Sequence, residues 1–390
     1  MQTEATPPDP YATGSAVVEA QIELDAGAGL DDGPHIRVHL STALLLCDGR
    51  WRGVSLRTTA GEGRHLVASR DLAAGTVVCT SPAYALSTFE EYKKRVCACC
   101  FTVAAGRLEH RCAACDQVYY CNASCRAAHA AHGAAGSLPH ALTCPVLAAL
   151  GPVRKCGGKS LQAVLRLVIE AIARRELEPG AAAGFFAALE SHPPRRTPKE
   201  ASEWSRATEH FRRALAASTS APLAAAAATI DERELHELVS KVDSNCFGCF
   251  VPSDGGDRDV GFGHGVYLAA SMFNHSCAPN CAATTGIEKM EIRTAAPVAA
   301  GTELSINYCE TNKPVDARRA YLRSCYGFEC GCTRCAAEST PGRAGARLSY
   351  DSRVAPQQRT SREKRERREQ RAARKAGTVA TTPATADVVD

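Results

Sequence analysis

The chain has 390 residues, with 46 Lys+Arg against 42 Asp+Glu and a formal net charge of +4. So near a balance carries no bulk signature of a nucleic-acid binder, and no apolar run approaches the ~20 residues that a membrane span needs. The opening MQTEATPPDP lacks a basic n-region and an apolar h-region, so no secretory leader is read there; a soluble protein of nucleus, cytoplasm or both, with no membrane partner, is expected.

Residues 1–50 show little periodic order and read as a variable, disordered segment with a candidate strand at His35–Leu40. Over 51–96 the text turns to short β-type runs, broken by glycine turns at Gly61-Glu62-Gly63 and Ala74-Gly75-Thr76. A cysteine block fills 97–144. It pairs Cys97 with Cys100, Cys112 with Cys115, Cys121 with Cys125 and His140 with Cys144. With 20 cysteines in a chain read as intracellular, such pairs point to zinc rather than to a disulfide framework. Four closely spaced pairs give eight ligands, enough for two closed tetrahedral Zn2+ sites, and the block is otherwise poor in large apolar residues. Bound metal would therefore supply its folding energy, and no chemistry is expected at closed sites.

Residues 145–244 read as a small helical insert. Leu161, Val164, Leu165, Val168, Ala171 and Ile172 fall on one face at helical spacing, and 200–215 and 231–242 repeat the pattern, with PPRRTP as a linker between helices. β-type text returns over 245–310 as VYLAASMF, EKMEIRTAAPV and GTELSINY. A second cysteine group follows in 311–335. The stretch 336–390 is polar and carries SREKRERREQRAARK, read either as a solvated, disordered charge run or as a localisation or nucleic-acid patch.

Two resemblances organise these pieces. The cysteine block, with Tyr120 ahead of Cys121, resembles the MYND zinc finger, which implies interleaved ligands: Cys97, Cys100, Cys121 and Cys125 on one zinc, Cys112, Cys115, His140 and Cys144 on the other. The gap before His140 is longer than the family's and lacks its tryptophan, which leaves His132 as a second candidate for the histidine ligand. MYND fingers commonly dock proline-rich peptides. FNHSCAPNC, GTELSINY and YGFECGCTRC, in that order, resemble the SET-domain protein lysine methyltransferases, and the order of parts over 52–335 resembles their SET-and-MYND branch. The fold implied is α+β: a mostly-β SET fold with a pseudoknot, an inserted finger and helical insert, a zinc-bound post-SET segment and disordered termini.

The resemblance also implies residue roles. Cys330, Cys332 and Cys335 give three thiolates, and Cys277 of the NHSC motif is the fourth ligand of a third structural zinc. Phe328 would then be carried to the adenine of S-adenosylmethionine. Asn274 and His275 are implied cofactor contacts, as are Asn245 and the early run Gly63-Arg64-His65. Tyr308 is the implied catalytic tyrosine, also beside the cofactor, and Tyr326 a second wall of the lysine channel. Histidine stands at position 65 where the family has glycine, so a left-handed backbone and a close approach to the cofactor are expected to be compromised there. The implied activity is methyl transfer to a lysine ε-amine of a histone or other protein. The alternatives are a catalytically weak scaffold that binds proline-rich peptides, favoured by His65 and by the absence of a helical domain after Cys335, and nucleic-acid association through the Arg-rich tail. Cys277 reads as a ligand rather than a nucleophile, His275 as no metal ligand, and Cys309 and Cys281 carry no role.

Overall fold

The computed structural model describes residues 51–59, 63–134, 136–151, 159–178, 180–191, 198–251 and 260–339. The expectations for 1–50, for the strand at His35–Leu40, for most of the PPRRTP linker and for the charged tail lie outside these residues.

In chain order the first strands are β1 (Val54–Thr59), β2 (Gly63–Ala68), β3 (Val77–Pro82) and β4 (Ala85–Thr88). The finger adds β5 (His110–Arg111), β6 (Tyr119–Tyr120), α1 (Ala123–His132) and α2 (His140–Leu150). The insert holds α3 (Lys159–Leu177), α4 (Ala181–Ala187), α5 (Pro198–Ala216), α6 (Ala221–Thr229) and α7 (Glu232–Asn245). Strands resume with β7 (Cys246–Val251), β8 (Val260–Val266), β9 (Asn274–His275), β10 (Cys281–Thr285), β11 (Lys289–Thr294) and β12 (Ser305–Ile306). Two helices, α8 (Val315–Tyr326) and α9 (Thr333–Ser339), end the described chain.

The strands make small sheets rather than one large one. β1 pairs antiparallel with β2, placing Leu56 opposite Leu66, both buried. β11 lies between β10 and β3, and β8 between β4 and β7. Glycine is required where β8 meets β4. A Cβ at Gly265 would lie 2.3 Å from Leu86 Cδ2, and one at Gly263 2.5 Å from the Ser87 carbonyl. The last pairing is parallel, β12 against β9, while the residues just ahead of β12 bond to β2: Leu304 N–H donates to Leu66 O at 2.7 Å and Ala68 N–H to Thr302 O at 2.9 Å. Residues 302–306 are thus held between β2 and β9. The neighbouring residues of β9 then link the two ends, Asn274 donating to Arg64 O and His275 accepting from Tyr308 N–H.

One hydrophobic core runs from Leu56 to Ile306 and includes helix α3; two smaller clusters gather around sulfur atoms. Truncating a fully buried α3 residue such as Leu165 to alanine would cost about 2–5 kcal/mol. The finger is seated on this core rather than hung from it. Val96, Phe101, Cys115 and Leu138 belong to the main cluster. Arg166 of α3, buried, reaches Gln117 of the finger and Glu90 in the turn after β4, and Lys93 donates to Gln117 Oε1 at 3.1 Å.

Four readings of the sequence change. VYLAASMF is not a strand: β8 stops at Val266, and Ala270–Met272 form a 3-10 turn whose N–H groups bond back to 267–270. An apolar run so short cannot distinguish a strand from a buried turn. Helix α3 is buried beyond its predicted face, since Leu167, Ile169 and Ala173 are also fully covered by neighbours on other sides. Helices α4 and α6 escaped notice because they are alanine-rich and neither has a side-chain cap. The boundary drawn at 144/145 falls inside α2.

Candidate metal centres and active site

In the finger, each CxxC closes a tight turn. Phe101 N–H donates to Cys97 O at 2.8 Å and Asp116 N–H to Cys112 O at 2.9 Å. Phe101 and Asp116 are the two non-glycine residues with positive φ among the described residues, 54° and 52°. Both follow the second cysteine of a pair, so the same strained knuckle is built twice. The ligand atoms of Cys97, Cys100, Cys121 and Cys125 all lie within 4.8 Å of one another, as do those of Cys112, Cys115, His140 and Cys144. These are the interleaved sets of the sequence reading. Asn122 caps α1 by accepting from Cys125 N–H at 2.7 Å, which fixes that cysteine's approach.

His140 holds the histidine place. Its Nε2 lies 3.5 Å from Cys115 Sγ, whereas His132 is exposed and in neither set. Burial pushes the His140 pKa down to about 4, so the ring is neutral and can offer a lone pair. His129 stacks on it with ring centroids 5.4 Å apart, and its own nitrogens face Tyr120 Oη and Ser137 Oγ, each at 3.2 Å. Those contacts orient the ligand ring and keep His129 itself out of the site.

A third set joins Cys277, Cys330, Cys332 and Cys335. Cys277 Sγ is 3.9 Å from Cys330 Sγ and 3.5 Å from Cys335 Sγ, although the residues are 53 and 58 positions apart. Four sulfurs this close cannot all ionise without a cation among them. Accordingly Cys332 is pulled well below the usual thiol range by S–H donation from Cys277 and Cys330. Cys277 is pushed far above it by hydrogen bonds with Cys309, Cys330 and Cys332. A bound Zn2+ would relieve that competition by taking all four as thiolates, so the donor chemistry fits the metal.

The sequence reading missed two members of this centre. Arg318 on α8 is 1% exposed and donates from Nε to Cys277 Sγ at 3.2 Å. Its Nη2 reaches Cys335 Sγ at 3.3 Å and Glu338 Oε2 at 2.8 Å. A fixed guanidinium thereby offsets part of the charge that four thiolates would concentrate. Cys309, read as without a role, lies with His275 and Cys277 in a further group of close ligand atoms. Its thiol is lowered to about 5, first by its hydrogen bond with Cys277 and then by His275.

The remaining predicted residues collect beside this centre. Asn274 Nδ2 donates to Arg64 O at 3.0 Å and to Glu303 Oε1 at 3.2 Å, so the amide ties β9 to β2. Tyr308 N–H donates to His275 Nδ1 at 2.9 Å, and Tyr308 Oη–H to Phe273 O at 2.5 Å. Mutually tilted rings run outward from there, with centroids 5.3 Å apart for His275 and Tyr308, 4.9 Å for Tyr308 and Tyr326, and 6.0 Å for Phe328 and His275. Gly327 ends α8 in the left-handed conformation, φ 74°, and turns the chain so that Tyr326 and Phe328 both face this cluster. Burial raises both tyrosine hydroxyls above the ordinary phenol range, so they remain neutral.

Asn245 stands one step away. Its Nδ2 donates to Glu190 O at 2.9 Å and Lys241 O at 2.7 Å, and Glu190 also pairs with Arg64. Gly63 opens β2 opposite Thr59. His65 corrects an expectation. It sits in mid-strand opposite Arg57, 6% exposed, with extended backbone, so no left-handed conformation is demanded there and a side chain is no obstacle to it.

Residues 63–309 match the SET domain. The chain belongs to the SET domain family. Its relatives include the N-lysine methyltransferase SMYD2-A of Danio rerio, 27% identical over 285 residues, which are 72% of this chain and 59% of that one. A SET and MYND domain-containing protein of Dictyostelium discoideum is 34% identical over 101 residues, 26% of this chain and 23% of that one. Histone-lysine N-methyltransferase ASHR2 of Arabidopsis thaliana is 26% identical over 303 residues, 71% and 70% of the two chains. The chain spans about three-fifths of the length of the SMYD2 relatives it matches. Among solved structures, the SET domain of LSMT bound to lysine and AdoHcy has a TM-score of 0.42 at 14% identity, covering 77% of this chain and 58% of that one. The resemblance to SET-and-MYND proteins read from the motifs is thus matched by named relatives, and the parts that meet in this SET domain are the ones its motifs singled out.

Proposed function

We propose that this SET protein transfers a methyl group from S-adenosylmethionine to the ε-amine of a lysine in a protein substrate, histone or other. The observation that carries this reading is the junction at Tyr308. Its hydroxyl is committed as a donor to Phe273 O, so the phenol oxygen has only lone pairs left to offer. Such an oxygen accepts an N–H from an incoming amine and turns the amine's lone pair along the channel axis. Tyr326, 4.9 Å from Tyr308 between ring centroids, supplies the second wall.

A free lysine of pKa ~10.4 pays about 4.6 kcal/mol to be neutral at pH 7. Aromatic walls that strip water lower this cost, because desolvation disfavours the ammonium. S-adenosylmethionine, when bound, supplies a sulfonium methyl group for an in-line displacement. Asn274 and His275, the Gly63–His65 strand, Asn245 and Phe328 surround the place proposed for it. The chain's own work is to hold amine and methyl donor in line and exclude solvent. The three zinc sets are structural in this reading.

The activity is tested by incubating the protein with labelled S-adenosylmethionine and histones or a cell extract, beside Tyr308→Phe. Labelling should fall about 10–100-fold in the variant. Absence of cofactor binding by calorimetry would refute the reading. His65 adopts ordinary strand geometry, and its approach to the cofactor, on which the scaffold alternative also rests, is decided by the same calorimetry. We propose as well that the finger docks proline-rich peptides and that the protein resides in nucleus or cytoplasm.

A further inference from the structure

His275 has both ring nitrogens engaged, and by groups with different duties. Nδ1 accepts from the Tyr308 backbone N–H at 2.9 Å. A nitrogen that accepts carries no proton, so the neutral ring bears its proton on Nε2. Nε2 lies 3.2 Å from Cys277 Sγ. Arg318 Nε–H meets the same sulfur at 3.2 Å from another side. Two nitrogen donors thus meet Cys277 Sγ, as would suit that sulfur once metal-bound, and His275 is the one that also touches the proposed catalytic tyrosine.

We infer that His275 is a positioning residue that ties the C-terminal zinc centre to Tyr308, through Cys277 Sγ···H–Nε2 on one side and Nδ1···H–N of Tyr308 on the other. The inference rests on the methyltransferase reading for its consequence in turnover, but not for its geometry. The chemistry is directional. A thiolate made permanent by zinc is a strong acceptor and holds the proton on Nε2. That leaves Nδ1 bare for the Tyr308 amide, whose carbon skeleton carries the hydroxyl bonded to Phe273 O. Tyr308 is then gripped at both ends, at its amide by a ring fixed by the zinc centre and at its hydroxyl by the chain just before β9. A ring with the proton on Nδ1 would offer Tyr308 N–H no acceptor and Cys277 no donor.

A competing reading takes His275, Cys277 and Cys309 as ligands of a separate metal ion, since their ligand atoms are also mutually close. That set has three ligands and shares Cys277 with a set that is already complete at four, so the donor role is preferred.

Two substitutions separate the two arms, because asparagine mimics the Nδ1 position and glutamine the Nε2 position. His275→Asn keeps the acceptor for Tyr308 and removes the donor to Cys277. His275→Gln does the reverse. The full chain is loaded with zinc, and zinc per chain is followed against graded chelator. Selective 15N-tyrosine labelling reports the Tyr308 amide, assigned by its loss in Tyr308→Phe. His275→Asn should release one of the three ions at about tenfold lower chelator, with the Tyr308 amide shift near that of the wild type. His275→Gln should hold three ions as the wild type does, move the Tyr308 amide upfield, and lower kcat about tenfold with little change in KM for the cofactor. Equal effects of both variants on both readouts would mean mere packing and overturn the inference. Loss of an ion from His275→Gln without chelator would make His275 a ligand, and also overturn it. If the wild type neither binds S-adenosylmethionine nor transfers methyl, the functional reading fails, while zinc retention and the Tyr308 amide still decide this one.

Discussion

The finger and the C-terminal sulfur centre solve the same problem, gathering four soft ligands, by opposite means. In the finger the ligands come as pairs three or four residues apart, and tight turns with left-handed residues at Phe101 and Asp116 present them. Cys100 and Cys121 are exposed, and Leu108, Tyr119 and Tyr120 pack with Cys97 in a small cluster. At the C-terminal centre one ligand, Cys277, comes from the strand layer and three from beyond α8. The site is buried, and a guanidinium and an imidazole reach into it. The finger's ligands are drawn together locally, with Cys115 packed in the main core as well. A centre assembled from distant segments takes its surroundings with it.

That contrast can be broken or sharpened by experiment. The largest effect is expected from Cys277→Ser. Zinc should fall from three ions to two, and methyl transfer should drop by at least about 100-fold, since Tyr326 and Phe328 lose their anchor; metal analysis with a turnover assay checks it. Next comes Arg318→Leu. Removing a buried cation from among thiolates leaves their charge uncompensated, and unfolding in urea should reveal a loss of about 3 kcal/mol. Arg318→Lys should recover part of it. Cys115→Ser should also cost one zinc, but turnover should fall far less than for Cys277→Ser. Comparable losses would show the finger to be no more local than the other centre.

The smallest effect sets the acid baseline for the comparison. His264 belongs to neither centre. It is buried, donates from Nε2 to Ala163 O at 3.1 Å, and burial holds its pKa down to about 4. A histidine depressed on folding binds fewer protons folded than unfolded. Its contribution is complete above about pH 6.5 and is lost as pH falls from there toward 4. Between pH 7 and 5 this residue should account for about 2 kcal/mol of lost stability. His264→Gln should flatten that part of the profile in denaturation curves taken at the two pH values.

How legible all this was in the sequence follows from the same contrast. Zinc spacing is short-range chemistry, so the finger's seven cysteine ligands could be read directly, while the histidine lay between His140 and His132 until the fold placed His140 in the set. Cys277 was legible only through the resemblance that supplied a fourth ligand for Cys330, Cys332 and Cys335. Arg318 was not legible. An arginine in VDARRAYL looks like any solvated helix residue until α8 packs it against sulfurs contributed from 41 and 17 positions away. Nor was the fate of His65, because a histidine's tolerance depends on φ, and φ there is set by pairing with β1. The helices escaped in proportion to their lack of polarity contrast: α5 and α7 were visible, while α4 and α6 offered neither caps nor alternation.

The strip of chain held between β2 and β9 has a consequence for the order in which the protein is made. Asn274 must reach Arg64 across 210 positions, and β12 must slide in beside β9 afterwards. On a ribosome both of the finger's ligand sets are complete as soon as residue 144 has emerged. The aromatic cluster is not begun until Tyr308 is out, and the sulfur set beside it is not complete until Cys335 has met Cys277. Contacts of such long sequence separation form late and slowly. For much of its synthesis this chain therefore carries the finger's ligands on SET strands that still lack their partners, and those ligands are gathered long before the residues around Tyr308 are.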